Sequence, residues 1–292
     1  MNVIKSLLAA VDFSDDSRNA VSRAFLLARE LPARLELLHI VSDSSLQALT
    51  ELVRPHADQS ARIIDRAVVL LSELSEESDP EGRVGASTTV RSGTVLDEIM
   101  SASEAADVLV LGSHGWNPLR DIIIGTTADR LLRKGMRPVL IVKRPALEAY
   151  RRVIVPVDFT PHSAVALGAA LFIAPEADIN IVHAYDVPLE RKLWLADVPQ
   201  EQIDEFRDQA RQRALEKVVG LRKEFGLEQQ RMHHYLENGD PASVILGREA
   251  SSGADLIVIG KHKQSLPGEL VLGSVTRHVL SGAKCDVLVM HD

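Results

Sequence analysis

Two long stretches of this chain spell the same pattern. "LLAAVDFS", Leu7 to Ser14, returns as "VIVPVDFT", Val153 to Thr160, which sets Asp12 opposite Asp158 at an offset of 146 residues. "DVLVLG", Asp107 to Gly112, returns as "DLIVIG", Asp255 to Gly260, at an offset of 148. The apolar runs "PVLIVK" (Pro138 to Lys143) and "DVLVMH" (Asp286 to His291) close the two copies. A unit repeated at half the chain length must solve the same folding problem twice, so the pattern predicts two like domains, residues 1–146 and 150–292. The boundary falls between Pro145 and Tyr150.

Within each copy, short continuous apolar runs alternate with longer segments of helical period. That alternation is the signature of βα units around a parallel sheet buried on both faces. Strands are predicted at 4–11, 34–41, 87–91, 107–111 and 139–142, and again at 152–157, 178–184, 232–237, 256–259 and 287–290. A helix is predicted from Gln200 to Phe225, where Ile203, Phe206, Ala210, Ala214, Val218, Leu221 and Phe225 recur at steps of three and four to make one apolar face. Ser14 and Thr160 read as N-caps, the latter followed by Pro161 at the first helical position. Pro156 conflicts with a central strand, because it removes a ladder donor; a local irregularity or a later strand start is expected there.

The formal net charge of −8 argues against a nucleic-acid backbone as the main partner. The first residues lead straight into an apolar segment without the charge progression of a secretory signal, and no apolar run approaches membrane-spanning length. The expectation is a cytoplasmic protein not inserted in membrane. The one cysteine, Cys285, cannot form an internal disulfide and suits an inert core thiol.

In open parallel sheets ligands sit beyond the carboxyl ends of the strands. Asp12 and Asp158 end the first strand of each copy, where a carboxylate can accept from ribose hydroxyls or an adenine amine, or can help cap the next helix. In the first copy Gly112 and Gly115 are followed by Gly125, Thr126 and Thr127, which open a predicted helix. Glycines let backbone N–H groups approach a phosphate, and a helix N-terminus adds unpaired donors and a positive dipole end. The alternative reading is ordinary loop punctuation. The second copy keeps Asp158, Gly260, Gly273 and Ser274, followed by Val275, but carries Lys263 in place of Gly115. That exchange either loses the close approach of backbone to phosphate or substitutes a mobile ammonium, with Lys261 near enough to assist.

The "VDFS" stretch, the G-x2-G-x9-G-[ST] spacing and the closing apolar strand resemble the universal stress protein family, and the match of both copies resembles its tandem members. The resemblance covers essentially the whole chain, with the ATP motif complete only in the first copy. It implies an α/β fold of two open five-stranded parallel sheets, each of strand order 3-2-1-4-5, paired through their last strands as an internal pseudo-dimer, with a homodimer as a further possibility. It implies ATP, with Mg2+ held mostly by phosphates and water, bound by Asp12, Ile40, Gly112, Gly115, Gly125, Thr126 and Thr127. The matching second-copy positions are Asp158, Ala184, Gly260, Lys263, Gly273, Ser274 and Val275.

His39, His183, His114 and His262 occupy matched positions but give no metal-ligand spacing. The segment from Tyr185 to Pro199 has no comparably apolar counterpart; its Trp194 either covers the local core or presents a surface to a ligand or partner. There is no Walker P-loop and no nucleophile elbow, so no catalytic residues are assigned. The resemblance allows at most slow ATP hydrolysis or self-phosphorylation. The leading expectation is an adenine-nucleotide-binding regulatory module whose state a protein partner reads. The alternatives are a nucleotide-independent interaction protein and a second copy that binds a different small ligand.

Overall fold

The structure is a computed structural model and describes residues 4–52, 59–115, 124–187, 190–226, 231–261, 264–266 and 269–291. The first half runs β1 (Ser6–Val11), α1 (Asp15–Glu30), β2 (Arg34–Ser42), α2 (Asp43–Leu52), α3 (Gln59–Ser78), β3 (Ser87–Gly93), α4 (Val95–Ser103), β4 (Val108–Gly112), α5 (Thr126–Lys134) and β5 (Val139–Val142). The second half runs β6 (Arg152–Pro156), α6 (Pro161–Ile173), β7 (Asp178–Tyr185), α7 (Glu190–Leu195), α8 (Gln200–Glu224), β8 (Met232–Asn238), α9 (Pro241–Ser252) and β9 (Leu256–Gly260). A short hairpin of β10 (Gln264–Leu266) and β11 (Glu269–Val271) follows, then α10 (Ser274–Gly282) and β12 (Asp286–Met290). Among the described residues no helix is long and apolar enough to cross a membrane.

Each half forms a five-stranded parallel sheet of the expected order, β3-β2-β1-β4-β5 and β8-β7-β6-β9-β12. The two join along β5 and β12 into one ten-stranded sheet, and among the described residues that seam is the sheet's only antiparallel pairing, with Val139 opposite Val289, Leu140 opposite Leu288 and Ile141 opposite Val287. These side chains are fully buried, and each contributes roughly 1.5–3 kcal/mol through removal from water. Two apolar cores, one on each face of the sheet, run continuously across the seam.

The helix ends follow the residues that cap them. Ser14 accepts from the Ser17 N–H ahead of Asp15 and Asp16, and Asp240 accepts from Ser243 N–H with Pro241 in the first turn. Thr160 is the N-cap of α6, but its hydroxyl donates to Asp158 instead of capping. Pro156 neither breaks nor delays its strand: it is the last residue of β6, and the pairing of β6 with β9 has ended two residues earlier, at Ile154. On α8, Ile203, Ala214 and Val218 are buried as expected, while Phe206 overhangs into solvent. Trp194 on α7 is 66% exposed and so does not cover the core.

The seam carries one buried charge cluster. Asp286, the first residue of β12, pairs with Arg23 Nε at 3.2 Å, accepts from Tyr150 Oη at 2.7 Å and accepts from the Lys143 N–H at 2.9 Å. Arg23 also donates to the Glu148 carbonyl and lies over the Tyr150 ring, so α1, the connection between the halves and β12 meet at one point. The repeat does not supply this cluster twice: Pro138 stands where Asp286 would be, and Ala169 where Arg23 would be.

A repeated staple ties the start of each first strand. Asp107 accepts from the N–H groups of Lys5 and Ser6 and from the Ser6 hydroxyl, and Asp255 accepts from Arg151 and Arg152. Burial pushes the Asp107 carboxyl up, but the Lys5 and Ser6 donors outweigh it and hold it below the usual carboxylate range.

Asp286→Ala strands Arg23 in the seam and is expected to lower unfolding stability by about 3–5 kcal/mol in urea titration. Glu176→Ala, at the exposed pair with Arg231, is expected to cost less than about 1 kcal/mol. A group held below its usual range stabilises the fold fully above its unfolded value, and that contribution disappears as pH falls through the folded one. The stability lost between about pH 5 and pH 2 is therefore expected to shrink in Asp107→Asn.

Candidate functional site

In each half the first strand parts from the fourth before its carboxyl end: β1 pairs with β4 only through Ala9, and β6 with β9 only through Ile154. The opening lies at the point where connections leave for opposite faces of the sheet. In the first half it is a cleft of about 720 Å3 lined by residues that include Asp12, Ile40, Gly112, His114, Gly115, Gly125, Thr126 and Thr127. All seven first-copy candidates therefore meet in one cavity, with Leu38, Val95, Ile99 and Leu111 supplying apolar walls.

Asp12 is aimed by a local device that both halves share. Phe13 adopts φ 65°, a left-handed conformation rare outside glycine, which turns the chain sharply between strand and helix. His39 at the neighbouring strand donates from Nδ1 to the Val11 carbonyl at 2.7 Å, and its ring packs 4.5 Å from that of Phe13. Asp12 Oδ1 then accepts from the N–H and hydroxyl of Ser14. In the second half Phe159 has φ 63°, His183 donates to Val157 at 2.7 Å, and Asp158 Oδ1 accepts from both donors of Thr160. Burial, with the Lys217 ammonium adding to it, holds the His183 imidazole below its usual range against the opposing pull of the Val157 carbonyl and Asp158. His39 and His183 are thus backbone braces. Among the described residues no group of three or more His, Cys, Asp or Glu side chains is placed to hold a metal ion.

The glycines of the segment have separate physical reasons. A Cβ on Gly112 would lie 2.6 Å from the Asp16 carbonyl carbon, and one on Gly260 would lie 2.6 Å from the His162 carbonyl oxygen, so these two let the fourth strand pack on the first helix. Gly125 has ordinary space around it and accepts its place through an N–H bond to the Ser113 carbonyl. At Gly115 the constraint lies within the cleft itself: a Cβ there would stand 2.8 Å from Asp12 Oδ2.

Two residues absent from the candidate set hold this segment. Asp16 Oδ2 accepts from Ser113 Oγ at 2.7 Å and from the His114 N–H at 2.9 Å, and lies 3.0 Å from His114 Nδ1. The sequence signal was available in the repeat, which places His162 opposite Asp16 and Lys261 opposite Ser113. At the far side, Gly125 is the N-cap of α5 and makes no side-chain cap, so the first-turn N–H groups of Thr126, Thr127 and Ala128 face the cleft without a side-chain acceptor from the cap.

The second cleft is smaller, about 250 Å3, and is lined by Asp158, His162, His183, Ala184, Gly260, Val275 and Thr276 among others. Ala184 thins one wall relative to Ile40, but Pro156, Pro241 and Thr276 stand where the first cleft has Ala10, Val95 and Ala128. Gly273 and Ser274 begin α10 outside this lining, and Lys263 lies outside the described residues. Lys261 does not assist a ligand there. It is buried, and its ammonium donates to the carbonyls of Leu132 and Arg133 in the first half.

A sequence model of the universal stress protein family matches residues 4–143 and again 149–291. A universal stress protein of Mycolicibacterium smegmatis is 23% identical over 97% of this chain and 96% of its own length. The universal stress protein YxiE of Bacillus subtilis is 29% identical over 148 residues, covering 48% of this chain and all of its own. Among solved structures, a universal stress protein from Archaeoglobus fulgidus superposes with a TM-score of 0.64 at 21% identity, covering 98% of both chains. The chain therefore belongs to the universal stress protein family, as a tandem member with one family domain in each half.

Proposed function

We propose that the first half binds ATP and that the protein is a nucleotide-responsive regulatory module. The observation that carries this reading is the convergence of Asp12, Gly115 and the uncapped N-terminus of α5 on one 720 Å3 cleft, a size within the roughly 300–1,000 Å3 of small-molecule sites. Asp12 would accept from ribose hydroxyls, and Ile40, Leu38, Val95 and Ile99 would flank the base. The phosphates would lie on the backbone of Gly112 to Gly115 and on the first turn of α5, where N–H donors and the helix dipole favour anions. Magnesium would be held by phosphate oxygens and water. The chemistry bound ATP supplies is a polyanion whose presence or absence changes the surface around the cleft, to be read by a protein partner.

The second half keeps Gly260, Gly273 and Ser274 but departs from this arrangement in three respects. Its cleft falls below the usual range, Val275 replaces the hydroxyl of Thr127, and lysine replaces the glycine that leaves room beside the aspartate. The two halves therefore bind ATP unequally, the first more tightly.

Isothermal titration with ATP is expected to show one tight site per chain. Gly115→Lys, which puts the second half's residue into the first, is expected to weaken it at least about tenfold, since a side chain there displaces the Asp12 carboxylate. Asp12→Asn is expected to weaken ATP by about tenfold while leaving inorganic tripolyphosphate nearly unaffected, because the lost acceptor serves the ribose. Wild-type protein that shows no heat with ATP and carries no nucleotide on extraction would refute the reading.

A further inference from the structure

We infer that Lys261, a residue of the second half, is a positioning residue for the cleft of the first. The inference rests on the reading of that cleft as a phosphate site and adds a mechanical link between the halves. Lys261 follows the last residue of β9, and its N–H donates to the Met290 carbonyl at 3.0 Å, which fixes its backbone on β12. The residue is 3% exposed. A buried ammonium is costly unless its donors are met, so the acceptors it finds are a strong constraint. Nζ donates to Leu132 O at 2.7 Å and to Arg133 O at 3.2 Å. Both carbonyls belong to the last turn of α5, where backbone acceptors have no partner within the helix and the dipole is negative.

The other end of α5 is the proposed phosphate site. Nine residues, roughly 14 Å of helix, separate the two ends, too few to bend between them. An anion at the first turn and an ammonium at the last therefore act on one rigid element. Helix-end electrostatics fade within about a turn, so Lys261 works by fixing where α5 sits and not by its field at the phosphate. Strand β11, in the segment between Gly260 and Gly273, also lies beside α5, so the helix is held by the second half at more than one point.

The link is reciprocal without being a copy. Lys143, at the end of β5, donates from Nζ to Leu280 O and Ala283 O, each at 2.6 Å, and so holds the carboxyl end of α10. Yet Lys143 matches His291 in the repeat, and Lys261 matches Ser113. Each half reaches the other's cleft helix from a different strand, an arrangement that inheritance of one repeat would not produce twice. By linkage, a ligand that fixes α5 from its amino end also strengthens its hold on Lys261, and so reports occupancy of the first cleft to the glycine segment of the second.

The test uses the full chain and two readouts. Lys261→Met is expected to lower affinity for ATP and for tripolyphosphate about fivefold while leaving adenosine within about twofold, because adenosine does not reach α5. Without ligand, the same variant is expected to speed amide hydrogen exchange across α5 roughly tenfold and to leave α10 unchanged, and Lys143→Met is expected to do the reverse. If the methionine variant fails to fold, Lys261→Ser, carrying the first half's residue, takes its place. Exchange in α5 that matches wild type overturns the inference whatever the nucleotide does. Wild type that binds ATP and tripolyphosphate, with the variant binding both equally well, overturns the positioning role and leaves the ATP reading standing. Wild type that binds neither overturns the phosphate reading itself, and with it the role of Lys261 at that site.

Discussion

Two sheets of parallel strands meet along β5 and β12, and the direction of that one pairing governs the arrangement around it. A sheet edge presents unpaired N–H and C=O groups and invites unwanted pairing, so joining the two last strands removes one such edge from each half. Because the joint is antiparallel, the carboxyl end of one half's sheet lies beside the amino end of the other's. The two clefts consequently open on opposite edges of the ten-stranded sheet, and each cleft helix runs from its own site toward the edge where the other half's site lies. Lys143 and Lys261 occupy these crossings, and the ammonium group of each donates to carbonyls of the opposite half.

The seam is driven by apolar burial and oriented by charge. Leu140, Ile141, Val287 and Leu288 supply the favourable term, whereas a buried pair such as Arg23–Asp286 is costly to desolvate and stabilises little by itself. What the pair adds is direction: Asp286 is satisfied by α1, by the Tyr150 hydroxyl and by the Lys143 amide only when the halves meet in this register. Its absence from the matching place on the first half makes the seam unequal, as the clefts are unequal. Ser113 and Asp16 organise the glycine segment in one half, and the matching Lys261 is committed to the seam in the other.

Much of this was legible in the residues. Parallel strands buried on both faces must be apolar throughout, so the runs at 107–111 and 139–142 announced themselves, and observed strand ends differ from the expected ones by a residue or two. The seven first-half site candidates fall together because all sit at strand ends or helix starts, which sequence spacing can mark. Other readings failed for identifiable reasons. The helical period of α8 counted Phe206 as core, but the side chain is 41% exposed. Trp194 was weighed as core on residue type, although the short α7 leaves it facing solvent. Lys261 looked like an aid to a phosphate because sequence neighbours Lys263; space assigns it to another helix.

The repeat fixed the fold class, the division into two halves and the pairing of Asp12 with Asp158, since these follow from local pattern and covalent order, while the strand order expected of each half came from the family resemblance. Tertiary structure alone decided why each glycine is a glycine. Gly112 and Gly260 clear the backbone of a helix nearly a hundred residues earlier, and Gly115 clears the carboxylate across the cleft. It also decided which lysines serve the seam. These are distances between residues far apart along the chain, and no local periodicity encodes them.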